Sequence, residues 1–127
     1  MRRVVVDASI VLGWFTTTSG PARALRTEYE RGMLSVVAPL SLPLDLLEAA
    51  ARITAWPAKR LDAIAIELRR LRLELRDPPT PDLTTWLARG LGGTHASYAA
   101  LASSLDVPLV TLDEELLVAA AVVAQRP

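Results

Sequence analysis

Val4, Val5 and Val6 form an unbroken apolar run that stops at Asp7, and Ala8, Ser9 and the apolar Ile10-Val11-Leu12 follow. A run without alternation predicts a short strand covered on both faces, as at the centre of a parallel sheet. Ser9 is placed to cap a first helix that runs through Trp14. Residues 16–20 are polar and predict a loop. Pro21 then occupies the first turn of a helix over 22–31, which Gly32 ends. Residues 34–38 predict a second strand, closed by Pro39. Ser41 opens a long helix to Thr54, whose apolar stripe is Leu42, Leu46, Leu47, Ala50 and Ile53. Trp56-Pro57 breaks it, and a second amphipathic helix covers 58–71.

The alternation of residues 73–75 predicts a short third strand, and the prolines of 77–81 a loop. Thr80 or Asp82 is placed to cap a helix ending near Leu91. Gly90, Gly92 and Gly93 interrupt the chain before a small-residue helix over 95–105. Residues 107–111 predict a fourth strand, ending two residues before Asp113, and 114–124 a last helix. Strands alternating with helices imply a parallel α/β sheet with helices on both faces.

Bulk properties narrow the function classes. The chain has 127 residues, 51% hydrophobic and 22% charged, which suits one globular domain. The formal net charge is zero, so any nucleic-acid binding must use a local patch or a metal. Cysteines are absent, which excludes disulfides, zinc–thiolate sites and thiol nucleophiles. No apolar run approaches the roughly 20 residues of a membrane helix. Asp7 interrupts the N-terminal apolar run too early for a signal peptide, and a cytoplasmic protein is expected.

Two strands thus end near an aspartate, Asp7 and Asp113, and right-handed crossovers bring such ends to one sheet edge. Glu48 stands in the otherwise apolar stretch Leu46-Leu47-Glu48-Ala49-Ala50, and Asp45 lies three residues before it, as a solvated residue or a supporting partner. Clustered carboxylates repel unless a divalent cation neutralises them, and oxygen ligands suit Mg²⁺ or Mn²⁺. Such an ion activates water for phosphodiester hydrolysis. The plainer readings are a helix cap for Asp113 and an exposed helix position for Glu48; for Asp7, Ser9 is already available as the cap. Gly90-Leu91-Gly92-Gly93 lacks the preceding strand of a dinucleotide loop. Nothing in the residue order suggests a serine–histidine–acid triad.

The segments around Asp7 (Val-Val-Asp-Ala-Ser-Ile-Val-Leu), from Ala38-Pro39-Leu40 to Glu48-Ala49-Ala50, and from Tyr98-Ala99-Ala100-Leu101-Ala102 to Val110-Thr111-Leu112-Asp113 resemble PIN-domain proteins of the VapC toxin type. The resemblance covers almost the whole chain. It implies a three-layer α/β/α sandwich with a mostly parallel sheet of four or five strands. It also implies a Mg²⁺- or Mn²⁺-dependent endoribonuclease, with Asp7, Glu48 and Asp113 as metal ligands. A homodimer, an RNA substrate and a cognate antitoxin are expected with it.

Three departures qualify that expectation. The family's third acidic residue, three positions before the aromatic of the C-terminal helix, is replaced by His95, the sole histidine. The asparagine often found three residues after the second acid corresponds to Ala51. The chain after Ala124 leaves little room for a fifth strand. His95 is expected to face the acidic cleft, where it removes one negative charge, as a modulator or fourth site residue. Imidazole is a poor Mg²⁺ ligand and an acceptable Mn²⁺ ligand. The alternative to an active toxin is an impaired PIN-like protein that binds RNA or an antitoxin without efficient cleavage. Arg60, Arg69, Arg70, Arg72 and Arg76 are expected either to steer RNA or to form a solvated face.

Overall fold

In the computed structural model, which describes residues 1–127, the three valines of the first strand are completely covered. Strand β1 (Arg2–Val6) takes the centre of a five-stranded sheet with order β3-β2-β1-β4-β5. Its partners are β2 (Leu34–Pro39) and β4 (Leu109–Val110), with β3 (Glu74–Arg76) and β5 (Ala124–Gln125) at the edges. Every pairing is parallel. The seven helices are α1 (Ala8–Trp14), α2 (Gly20–Glu30), α3 (Leu42–Thr54), α4 (Ala58–Leu71), α5 (Thr80–Ala88), α6 (Gly93–Leu105) and α7 (Glu114–Ala119).

The chain steps in one direction from β1 to β3 and in the other from β4 to β5. Right-handed crossovers therefore put α1–α4 on one face and α5–α7 on the other. The reversal falls between β1 and β4, where Val5 pairs with Leu109 and Val6 with Val110. A crevice opens at such a switch point, beyond the carboxyl ends of the two strands. Asp7 and Thr111 are the next residues along these neighbouring strands. Thirty buried apolar residues form one core cluster.

The expected elements are present, with corrections that have local causes. Asp7, and not Ser9, is the N-cap of α1: its backbone is extended and its side chain accepts the Ile10 N–H. Ser41 precedes α3 but makes no cap bond, because its hydroxyl donates to Asp45 instead. Helix α5 begins at Thr80, so neither Thr80 nor Asp82 caps it through a side chain. Helix α7 stops at Ala119, and the backbone then turns back to the sheet. There a fifth strand does form: Leu109 N–H donates to Val123 O at 2.9 Å, and Thr111 N–H to Gln125 O at 3.0 Å. Of the α3 stripe, Leu42, Leu46 and Ala50 are buried, whereas Ile53 is exposed.

Helices α1 and α2 meet at Gly13. A Cβ there would lie 2.8 Å from the Ala22 Cβ, an atom fixed to its own backbone and unable to rotate away. Glycine is retained because the two helices touch, although alanine has the better helix propensity. Gly13→Ala is accordingly expected to destabilise the protein by about 1–3 kcal/mol in urea unfolding. Ala22→Gly should recover part of that loss, and an unchanged midpoint for Gly13→Ala would refute the close contact.

Candidate functional site

The cleft at the switch point has a volume of about 490 Å³, and five carboxylates line it: Asp7, Asp45, Glu48, Asp113 and Glu115. Arg52, His95 and Tyr98 share its wall. The expected residues Asp7, Glu48, His95 and Asp113 are therefore brought to one cavity, though at different depths.

Asp7 is the innermost, only 5% exposed. Its Oδ1 accepts from the Ser9 hydroxyl at 2.6 Å and, more weakly, from the Ile10 N–H at 3.4 Å. Its Oδ2 accepts from the Thr111 hydroxyl at 2.7 Å. These two hydroxyls also grip the chain after β4. Ser9 Oγ accepts the Leu112 N–H at 2.9 Å, and Thr111 Oγ1 accepts the Asp113 N–H at 2.9 Å. The same bracket thus orients Asp7 and positions Asp113 next to it. Thr111, a wholly buried polar residue, is part of the site that strand periodicity does not single out.

Asp113 divides its oxygens. Oδ1 caps α7 by accepting the N–H groups of Glu115 and Leu116 at 2.9 and 3.2 Å. Oδ2 lies 3.1 Å from His95 Nε2. The cap reading and the site reading of Asp113 both hold, one for each oxygen. His95 Nδ1 lies 3.7 Å from Glu115 Oε2. His95, Asp113 and Glu115 form a group able to hold a metal ion, their ligand atoms lying within 4.8 Å of one another. Sequence reading passed over Glu115. Its signal was the position two residues after a capping aspartate, where the first helical turn folds its side chain back toward the cap.

Helix α3 offers two carboxylates of different character. Asp45 is half-buried, and its Oδ2 accepts from the Tyr98 hydroxyl at 2.8 Å and the Ser41 hydroxyl at 3.0 Å. Tyr98 is itself buried, and burial together with the Asp45 charge pushes its phenol upward, so it stays a donor. Glu48 is 68% exposed and loosely paired with Arg52 at 3.8 Å. It stands at the rim. Of the five arginines considered for RNA steering, none lines this cleft. Arg69 and Arg72 border a separate, mainly aliphatic hollow, Arg60 stacks over Trp56 at 4.8 Å, and Arg76 pairs with Glu74.

Electrostatics single out Asp7. Burial raises its pKa above the ordinary 3.8, the bonds from Ser9, Thr111 and Ile10 oppose this, and the Asp113 charge adds to the rise. A carboxylate that is desolvated beside a second negative group is the setting a cation relieves. The oxygen-rich donor set fits Mg²⁺ or Mn²⁺, and the imidazole fits Mn²⁺ better.

The architecture is PIN-like: a five-stranded parallel sheet of order β3-β2-β1-β4-β5 with seven helices. Among solved structures, the chain is similar to PAE2754 from Pyrobaculum aerophilum, with TM-score 0.66 and 24% identity over 93% of this chain and 86% of that one. It is also similar to VapBC2 from Rickettsia felis bound to a DNA fragment from its promoter, with TM-score 0.63 and 13% identity over 98% of each chain. No protein-family model and no curated protein matches the sequence. No helix is long and apolar enough to cross a membrane.

The raised pKa of Asp7 has a stability consequence. The folded state holds this proton more tightly than the unfolded chain, whose value is near 3.8. Stability therefore falls as pH rises from there through the folded value, and the cost is fully present above it. Asp7→Asn removes the charge, and its amide can donate to Thr111 while its carbonyl accepts from Ser9 and Ile10. In chelator-treated buffer at pH 7 this variant should melt roughly 3–6 °C higher than the parent. The gain should shrink toward pH 4; an equal gain at both pH values would show that burial of the charge is not its origin.

Proposed function

We propose that the chain is a single PIN-like domain acting as a divalent-metal-dependent endoribonuclease, the toxin of a toxin–antitoxin pair in the cytoplasm. The observation that carries this reading is the buried Asp7 carboxylate, set beside Asp113 in a carboxylate-lined cleft at the switch point of the sheet. Asp7, Asp113 and Asp45 are the residues to hold the cation, with His95 as a further site residue and Glu48 at the rim. When bound, Mg²⁺ or Mn²⁺ supplies neutralisation of the phosphodiester charge and activation of water at neutral pH.

The chain's own residues supply the order. Ser9 and Thr111 each give a hydroxyl proton to Asp7, which fixes both of its oxygens and leaves lone pairs directed elsewhere. Tyr98 and Ser41 hold Asp45 through one oxygen, Oδ2, and leave Oδ1 free. Arg52 is the guanidinium at the cleft mouth, where a substrate phosphate can displace its loose partner Glu48. Hydrolysis by water breaks a P–O bond of the RNA backbone. The toxin assignment, with a cognate antitoxin and a second copy of the chain as partners, is supported by the VapC-type resemblance and by the like fold of the Rickettsia felis VapBC2 structure.

One observation favours a second reading. His95, at an acidic position of the resembled family, is hydrogen-bonded to Asp113 and competes for an oxygen the cation would use. An impaired protein that binds RNA or an antitoxin would result.

Cleavage of a labelled RNA with Mg²⁺ or Mn²⁺, and a chelator control, decides between them. Asp7→Asn and Asp45→Asn should each lower the rate by at least about tenfold to a hundredfold, as loss of groups at a metal centre does. Glu48→Gln should change it by less than about threefold, in keeping with an exposed, loosely paired group. A wild-type protein inactive with both ions, made active by His95→Asp, would establish the impaired reading. Full activity in Asp7→Asn would end the nuclease proposal.

A further inference from the structure

The contacts of His95 bear on which ion the cleft takes. Its Nε2 lies 3.1 Å from Asp113 Oδ2, and its Nδ1 lies 3.7 Å from Glu115 Oε2. An ionised carboxylate only accepts, so the proton of the neutral ring belongs on Nε2, donated to Asp113. Nδ1 then turns a lone pair toward the Glu115 carboxylate, which also has only lone pairs to offer. The ligand atoms of His95, Asp113 and Glu115 all lie within 4.8 Å of one another, close enough to share one ion. A ring whose one N–H is held by a carboxylate is fixed in the tautomer that presents its other nitrogen to a metal.

On the reading of the cleft as a cation centre, the geometry points to a mixed nitrogen–oxygen donor set, in which His95 and Glu115 join the aspartates of that centre and Asp113 also orients the ring, that selects a transition-metal ion such as Mn²⁺ over Mg²⁺. Mg²⁺ demands oxygen ligands in a near-octahedral shell and gives up water reluctantly. Imidazole nitrogen suits later, softer divalent ions. Glu115 is the residue that changes the meaning of His95. The imidazole does not merely subtract a charge from an acidic site; it joins a carboxylate on α7 to offer a different donor set.

His95 is the only histidine, so selective labelling reports on it alone. In tag-free protein grown with ¹⁵N-histidine, pulsed electron paramagnetic resonance of bound Mn²⁺ should show coupling to one ¹⁵N nucleus. Calorimetry should give Mn²⁺ an affinity at least about tenfold above that of Mg²⁺. His95→Asp should abolish the nitrogen coupling and bring the two affinities together, while Glu115→Gln should weaken Mn²⁺ about tenfold. Thermal melts of both variants check that they fold. Mn²⁺ bound without nitrogen coupling, or equal affinities for the two ions in the parent protein, would overturn the assignment. Selective Mn²⁺ binding by a protein that leaves RNA intact would uphold it and remove the nuclease reading. RNA cleavage with Mg²⁺ bound as tightly as Mn²⁺ would do the reverse.

Discussion

A buried carboxylate held by two hydroxyls is the constraint on which the site rests. Burying Asp7 without partners would be prohibitive, and Ser9 and Thr111 make it tolerable. Each hydroxyl has a donor and an acceptor side, and each uses its acceptor side on a backbone N–H of the chain after β4. The adjacent parallel strands are thereby tied beyond the end of their own ladder. This is why Asp113 lies beside Asp7 although 106 positions separate them in the chain. The apolar ends of strands β1 and β4 bring Asp7 and Asp113 together; the hydroxyl pair determines what happens there.

The electrostatic character of the cleft follows from that arrangement. Five carboxylates line a cavity in a chain with no net charge, and Arg52 is its one guanidinium. Burial, with a lesser contribution from the Asp113 charge, raises the proton affinity of Asp7, the most enclosed member. The depth of each group then sorts its role. Asp7 is enclosed, Asp45 and Asp113 are held by neighbours on one oxygen or both, and Glu48 and Glu115 reach in from exposed positions. Arg52 and Glu48 stand together at the mouth.

Much of this was legible in the residue order. Unbroken apolar runs marked the central strands, and the carboxylates at their ends marked the site, because strand direction and crossover handedness leave few other arrangements. The isolated His95 was also placed correctly in the cleft. What escaped depends on angles that periodicity does not encode. Asp45 and Glu48 are one turn apart on α3, and only the packing of that helix against Tyr98 turns Asp45 inward. The fifth strand is two residues long and rests on backbone bonds, so no side-chain pattern announces it. Ser9 is a capping residue by type and is the cap that the sequence predicts, but the extended backbone lies at Asp7, which takes that place.

Structural duty is spread unevenly over the cleft, and this bears on how the site can evolve. Asp7 caps α1, Asp113 caps α7, and Asp45 takes the hydroxyl of buried Tyr98, so each has a structural contact as well as a place in the chemistry. His95 supports no helix end; Gly92 begins α6, and the imidazole reaches only the carboxylates across the cleft. Position 95 is consequently freer of structural duty than these three aspartates. It is also where this chain departs most clearly from the pattern it resembles. The scaffold channels drift toward positions such as this one, where new chemistry can be tried while the architecture stays intact.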